Sequence, residues 1–113
     1  MEEPRGNVLR EQYDDLKRWI DAANGPAKSA CFNYIRSTFD TVTEGYALAS
    51  SADREQLLKE ARKVSRQLWD KGDWPLALAL GVIMLNVESR FVPGDDAAFV
   101  KAATDALIEE ANA

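Results

Sequence analysis

Apolar residues recur along the chain at steps of three and four, the spacing that places side chains on one face of an α-helix. Leu9, Tyr13, Leu16, Ile20 and Ala23 form the first such stripe, with Asn7 placed to cap it and Asn24-Gly25 to stop it. Pro26 stands where the first turn of a second helix accepts proline, and Phe32, Ile35, Phe39, Val42, Tyr46 and Ala49 form the stripe of that helix. Its weak point is Thr41-Val42-Thr43-Glu44-Gly45, where β-branching and glycine lower helix propensity, so either one long helix or a bend is expected there. Ser50, Ser51 and Asp53 offer caps for a third helix with Leu57, Ala61, Val64 and Leu68 facing inward, ending at Lys71-Gly72.

A fourth helix, roughly Trp74 to Arg90, follows a capping Asp73 and carries no charge between Trp74 and Val87. A helix that is apolar all round is packed on several sides, which makes this segment the expected centre of the fold. Pro93-Gly94 then breaks the chain. Asp95 or Asp96 caps a fifth helix with Val100, Ala103, Leu107 and Ala111 inward. No stretch alternates with period two over strand length. The pattern predicts an all-α single domain over residues 1–113, a bundle of about five helices around one core, with residues 1–6 as a flexible N-terminus.

The chain has 113 residues, enough for one hydrophobic core and too few for two. Apolar residues make up 46 % and charged residues 29 %, the balance of a globular chain rather than a disordered one. The most apolar run, Leu76 to Leu85, is half the roughly 20 residues a bilayer span requires, so it reads as a buried helix. Met1 to Gly6 has neither a basic region nor an apolar one, so no secretory signal is visible. Cys31, the single cysteine, fits a reducing compartment, and the expected location is the cytoplasm.

There is no histidine. With one cysteine besides, that removes Ser-His-Asp and Cys-His catalysis, zinc sites of the Cys/His kind and any internal disulfide. Cys31 lies near Lys28 but among apolar neighbours, which points to a buried inert thiol. Asp95 and Asp96 with Glu88 supply oxygen ligands for a hard cation, yet no calcium-loop spacing is present and capping accounts for both aspartates. The six glycines are scattered singly, so no phosphate-cradling loop exists. Neither a catalytic residue, a cofactor site nor a metal site is assigned.

The net charge of −5 is unevenly spread. Asp53 to Lys71 holds six basic and four acidic residues, while Gly94 to Ala113 holds one basic and five acidic. Lys59, Arg62, Lys63 and Arg66 fall on one helical face, away from the apolar stripe. This is the candidate patch for an acidic partner, a phosphate-bearing ligand or the acidic end of a second copy. The competing reading is a solvated face, helped by a Glu55–Lys59 pair and by pairing with the acidic fifth helix. Trp69 and Trp74 flank the turn between the third and fourth helices, and Trp19 lies near the end of the first. At least two of the three are expected to close the core, with Trp74 the candidate anchor for a partner.

Residues 58–89 resemble one tetratricopeptide-type helical hairpin. Gly72-Asp73-Trp74 stands at the family's turn, Ala77 at its early alanine, and Val64, Ser65 and Leu68 at apolar and small positions of the first helix. The chain departs from the pattern at Gly81, where a large aromatic is expected, at Met84, where a small residue is, and in lacking a proline near Ser89. One repeat back, Thr38 and Thr43 occupy the glycine and alanine positions, so there is no second copy. The resemblance implies a scaffold that binds a peptide or helix.

These observations lead to a non-enzymatic interaction protein whose partner is another protein or a second copy of itself, a homodimer forming through the over-apolar fourth helix. The acidic surface argues against nucleic acid, leaving the basic face of the third helix as the one place for it. A small enzyme or ligand binder working from carboxylates and Tyr13, Tyr34 and Tyr46 is the remaining alternative.

Overall fold

The computed structural model describes residues 4–113, and they form five α-helices: α1 (Pro4–Ala22), α2 (Gly25–Leu48), α3 (Ser51–Asp70), α4 (Trp74–Ser89) and α5 (Asp95–Asn112). Among the described residues there is no strand. Residues 1–3 of the expected flexible N-terminus lie outside the described part. The first helix already includes Pro4–Gly6, so Asn7, expected to cap it, lies within it. α2 runs unbroken through Thr41–Gly45, and Thr43 Oγ1 donates to the Phe39 carbonyl at 2.8 Å, tying the weak segment to its preceding turn.

Capping follows the sequence in part. Ser50 caps α3 by accepting from Asp53 N at 3.2 Å. Asn24, expected to end the first helix, caps the second, its Oδ1 accepting from Ala27 N at 2.9 Å. Asp73 and Asp95–Asp96 do not cap. Asp73 occupies the position before α4 without a side-chain bond, and Gly94, at φ 108°, precedes α5 so that both aspartates fall inside its first turn. There they face the positive end of the helix dipole. Between α3 and α4, Gly72 adopts φ 88°, with Asp73 N bonded to Leu68 O and Gly72 N to Trp69 O. That is a Schellman stop, and it sends α4 back along α3.

α4 packs against all four other helices, and every residue from Ala77 to Ser89 except Gly81 is buried. The apolar surface expected to drive self-association through this helix is therefore covered within one chain. The core is not single. The main cluster joins α1, α2, α4 and α5 through residues such as Leu9, Ile35, Val82 and Val100, and no α3 residue belongs to it. α3 rests on a satellite cluster of Tyr46, Leu58, Ile83 and Val87, and α4 is its one extensive neighbour.

α3 is also rotated from the expected setting. Leu58 is buried, whereas Leu57 and Val64 remain 40 % and 42 % exposed. Two polar ties explain the rotation: Ser65 Oγ donates to the Ala77 carbonyl at 3.3 Å, and Arg62 reaches the buried Glu88 at 2.8 Å. A carboxylate held inside a fold needs a charged partner, and turning Leu57 and Val64 inward would swing Arg62 away from it.

Asn86 is the polar counterpart on the other side of α4. Fully buried, it donates to Thr104 Oγ1 at 3.0 Å and Asp105 Oδ1 at 2.8 Å, and accepts from Arg90 at 2.7 Å. Burial works to raise the Asp105 pKa, but hydrogen bonds from Lys101 and Asn86, with the charges of Lys101 and Arg90, hold it below the ordinary carboxylate value. α5 is further fixed by Arg36 of α2, whose Nε donates to the Ala111 carbonyl at 2.9 Å, and by Arg10 of α1, which lies 3.7 Å above the Phe99 ring and pairs with Asp96.

Asn86→Ala strands the groups that Asn86 satisfies and should cost about 1–3 kcal/mol in urea unfolding at neutral pH. A depressed carboxylate contributes stability above its unfolded pKa and loses it as pH falls through the folded value. The gap between wild type and Asn86→Ala should therefore narrow as pH falls below 3.8.

Candidate partner-binding cleft

Because α3 stands on α4 apart from the main core, a cleft of about 310 Å³ opens between α1 and α3 with α4 as its floor. Gln12, Asp15 and Leu16 line the α1 side, Arg62 and Ser65 the α3 side, and Gly81, Met84, Leu85 and Glu88 the floor. Gly81 permits a close approach. A Cβ built there would stand 3.1 Å from Leu16 Cδ1, so the missing side chain lets α1 settle directly onto α4. At this position, where the tetratricopeptide pattern carries a large aromatic, any side chain would press on Leu16.

Three residues along α1 from Leu16, which lines the cleft, an indole contact joins α1 to α3. Trp19 and Trp69 meet edge to face with ring centroids 5.2 Å apart, and Trp74 lies 6.2 Å from Trp19. Trp74 packs against the main core, while Trp19 and Trp69 remain 50 % and 43 % exposed. The structure thus gives the exposed aromatic edge to the two tryptophans that were not singled out as anchors. Trp19 stands three residues beyond Leu16, so it widens the first helix's apolar stripe on one flank, a signal legible only once that flank is known to face α3.

The four basic residues divide. Arg62 lies in the cleft wall, paired with Glu88. Below the pair sits Tyr46, whose pKa is raised by burial, with Arg62 opposing and Glu88 adding to the effect. Lys59, Lys63 and Arg66 are exposed, and among the described residues none of them forms an ion pair. The expected Glu55–Lys59 pair is not formed, and no ion pair links α3 to the acidic α5 among the described residues. The net charge of +2 over Asp53 to Lys71 is left uncompensated from that side. Across the cleft, Asp15 is paired with Arg18.

No family model, curated protein or solved structure matches the chain. The site is therefore read from its own chemistry. Its polar groups are engaged with one another: Arg62 with Glu88, Ser65 with a carbonyl, Asp15 with Arg18. The carboxylates weighed as cation ligands are not brought together, because Glu88 faces Arg62 and Asp96 faces Arg10. Among the described residues no group of three or more such ligands clusters. Tyr13 packs edge-on to Phe99, at 5.8 Å, and Tyr46 is enclosed in the satellite cluster.

Cys31 is buried in the main core, and burial pushes its thiol pKa up to about 11. A disulfide-forming reagent at neutral pH should modify the folded protein no faster than it unfolds, and react at once in denaturant. Since the fold keeps the proton that the unfolded chain releases near 9.0, stability should fall as pH rises from there toward 11. For the cleft itself, Arg62→Ala should cost about 1–3 kcal/mol by removing one of the polar contacts of the buried Glu88. Lys63→Ala, at an exposed and unpaired position, should stay within about 0.5 kcal/mol in the same urea titration.

Proposed function

We propose that this chain is a non-enzymatic helical interaction protein that holds a polypeptide partner in the cleft between α1 and α3. The observation that carries the reading is the coincidence, along one flank of α3, of a cleft floored in part by Met84 and Leu85, a half-exposed tryptophan pair joining α1 to α3, and the exposed cations Lys59, Lys63 and Arg66, which form no ion pair among the described residues. Tryptophan and arginine supply most of the energy at protein interfaces, because they bury large area at low entropic cost and still offer a polar handle. Large apolar side chains left half in water beside a cleft fit a surface awaiting a partner.

The cleft is bordered by a loosely seated helix, so it can widen without disturbing the main core. α3 shares one extensive interface and contributes nothing to the cluster that joins the other four helices. Elements with few neighbours lie at the low-stability end of a fold, where binding surfaces that adjust to a partner are found. The tetratricopeptide-like turn at Gly72-Asp73-Trp74 belongs to the same proposal, since it reverses the chain and places α3 beside the floor helix. Cytoplasmic residence is part of it as well, supported by the free, buried Cys31 thiol. No helix among the described residues is long and apolar enough to cross a membrane.

The reading is tested by affinity capture from the source cell, with each captured protein remade and titrated against wild type and a Trp19→Ala/Trp69→Ala variant. A genuine partner should lose about thirtyfold in affinity, the equivalent of one interface hot spot of about 2 kcal/mol, while the variant keeps its helical circular dichroism. Partners that bind both forms equally would place the interface elsewhere.

A further inference from the structure

The cleft's rim defines the chemistry of what it holds, if the binding role proposed above is correct. Lys59, Arg62, Arg66 and Trp69 follow one another at steps of three, four and three, so they form a single row along α3. Two members of that row fix its direction. Arg62 lines the cleft and Trp69 touches Trp19 of α1, so this flank of α3 turns toward α1, with the exposed Lys59 and Arg66 just outside the lining. At 1.5 Å per residue the row is about 15 Å long, the length of about three turns of helix.

Three features then select an occupant. Leu16, Met84 and Leu85 give the cleft its apolar part beside the Arg62–Glu88 pair, and the Trp19–Trp69 contact lies next to it along the same two helices. Along one long edge Lys59 and Arg66 carry charge with no ion-pair partner among the described residues, with Lys63 just outside them. The opposite edge carries Asp15, already paired with Arg18, with the exposed Glu11 one turn before it. The flanking cations without an ion-pair partner among the described residues thus lie on the α3 side.

We propose that the cleft receives an amphipathic α-helix of about three turns, its apolar seam on Leu16, Met84 and the tryptophan pair, and its Asp- or Glu-bearing flank along Lys59, Arg62 and Arg66. A helix can present carboxylates on one flank only, which is the asymmetry of the cleft. A nucleic-acid strand carries a phosphate at every residue and would set some of them against Glu11 and Asp15. A second copy has an acidic helix in α5, but the apolar side of α5, including Val100, Leu107 and Ile108, is buried in its own core.

The test is selection of binders to the full-length chain from a displayed library of helical 14-residue peptides with randomised faces, followed by fluorescence-polarisation titration of the winners. Expected are winners with an apolar seam and acidic residues on one adjoining flank. Their affinity should fall at least about tenfold against Lys59→Glu/Lys63→Glu/Arg66→Glu and weaken as salt is raised. Arg62 is left in place because it holds Glu88, and a Lys59→Gln/Arg66→Gln variant replaces the triple one if its thermal melt shows loss of fold. Winners without an acidic flank, or insensitive to charge reversal yet lost on Trp19→Ala/Trp69→Ala, would overturn the acidic-helix proposal and leave the cleft as the binding site. Winners insensitive to both sets of changes, or no winners above an unrelated helical bundle, would overturn the proposal and the cleft reading together. Displacement of the winners by a short single-stranded oligonucleotide at comparable concentration, or a concentration-dependent dimer that blocks them in sedimentation, would equally overturn it in favour of nucleic acid or a second copy.

Discussion

A helix without a polar face has no side on which to meet water, and α4 is such a helix. From Trp74 to Val87 it carries no charge, and its stability depends on being covered all round. Four amphipathic helices provide the cover, each with one apolar stripe to bury. That requirement dictates the architecture: α4 runs through the middle and the other helices are arranged about it. It also explains why α4 tolerates Gly81, since a small residue at the centre of a bundle is where a neighbour's Leu16 can approach closely.

The few polar groups on α4 decide how the neighbours are turned. An amide or carboxylate inside a protein is costly unless its hydrogen bonds are made, so each such group acts as a keyed position. Asn86 is keyed to Thr104 and Asp105, which fixes the rotation and register of α5. Glu88 is keyed to Arg62, which fixes the rotation of α3. The apolar contacts by themselves allow several rotations of a helix against an all-apolar surface; the polar contacts select one. Where the two disagree, the polar contact prevails: α3 leaves Leu57 and Val64 in water in order to bring Arg62 to Glu88.

α3 is thereby the least embedded element of the structure, and the cleft follows from that fact. Three of the helices around α4 share one core, and α3 occupies the remaining side on a small satellite cluster. Since α1 and α3 meet chiefly through the Trp19–Trp69 contact at one end, the space between them is left open along the rest of their length. The basic row lies on that open side because Arg62, its second member, stands in the cleft wall paired with Glu88. One ion pair therefore both holds α3 and aims its positive charge at the cleft.

The number of helices, their stripes on α1, α2 and α5, the proline and glycine boundaries and the central place of α4 were all legible in the sequence. These depend on local spacing, on backbone restriction and on the balance of apolar and polar residues within one segment. The absence of histidine and the lone cysteine were equally plain, and they narrowed the chemistry before any fold was known. The caps were legible only as places, because whether Asn24 ends one helix or begins the next is settled by which backbone N–H it reaches. What the tertiary structure alone decided was the setting of α3 and, with it, the site. Leu57, Ala61, Val64 and Leu68 form a regular stripe, and nothing within the segment reveals that Glu88, more than twenty positions away, will claim Arg62 instead. Trp19 and Trp69 likewise read as separate helix-end aromatics until packing brings their rings together. A face is a property of one helix and can be read along the chain; a cleft is a property of two helices and a third beneath them, and it exists only once long-range contacts have chosen how each is turned.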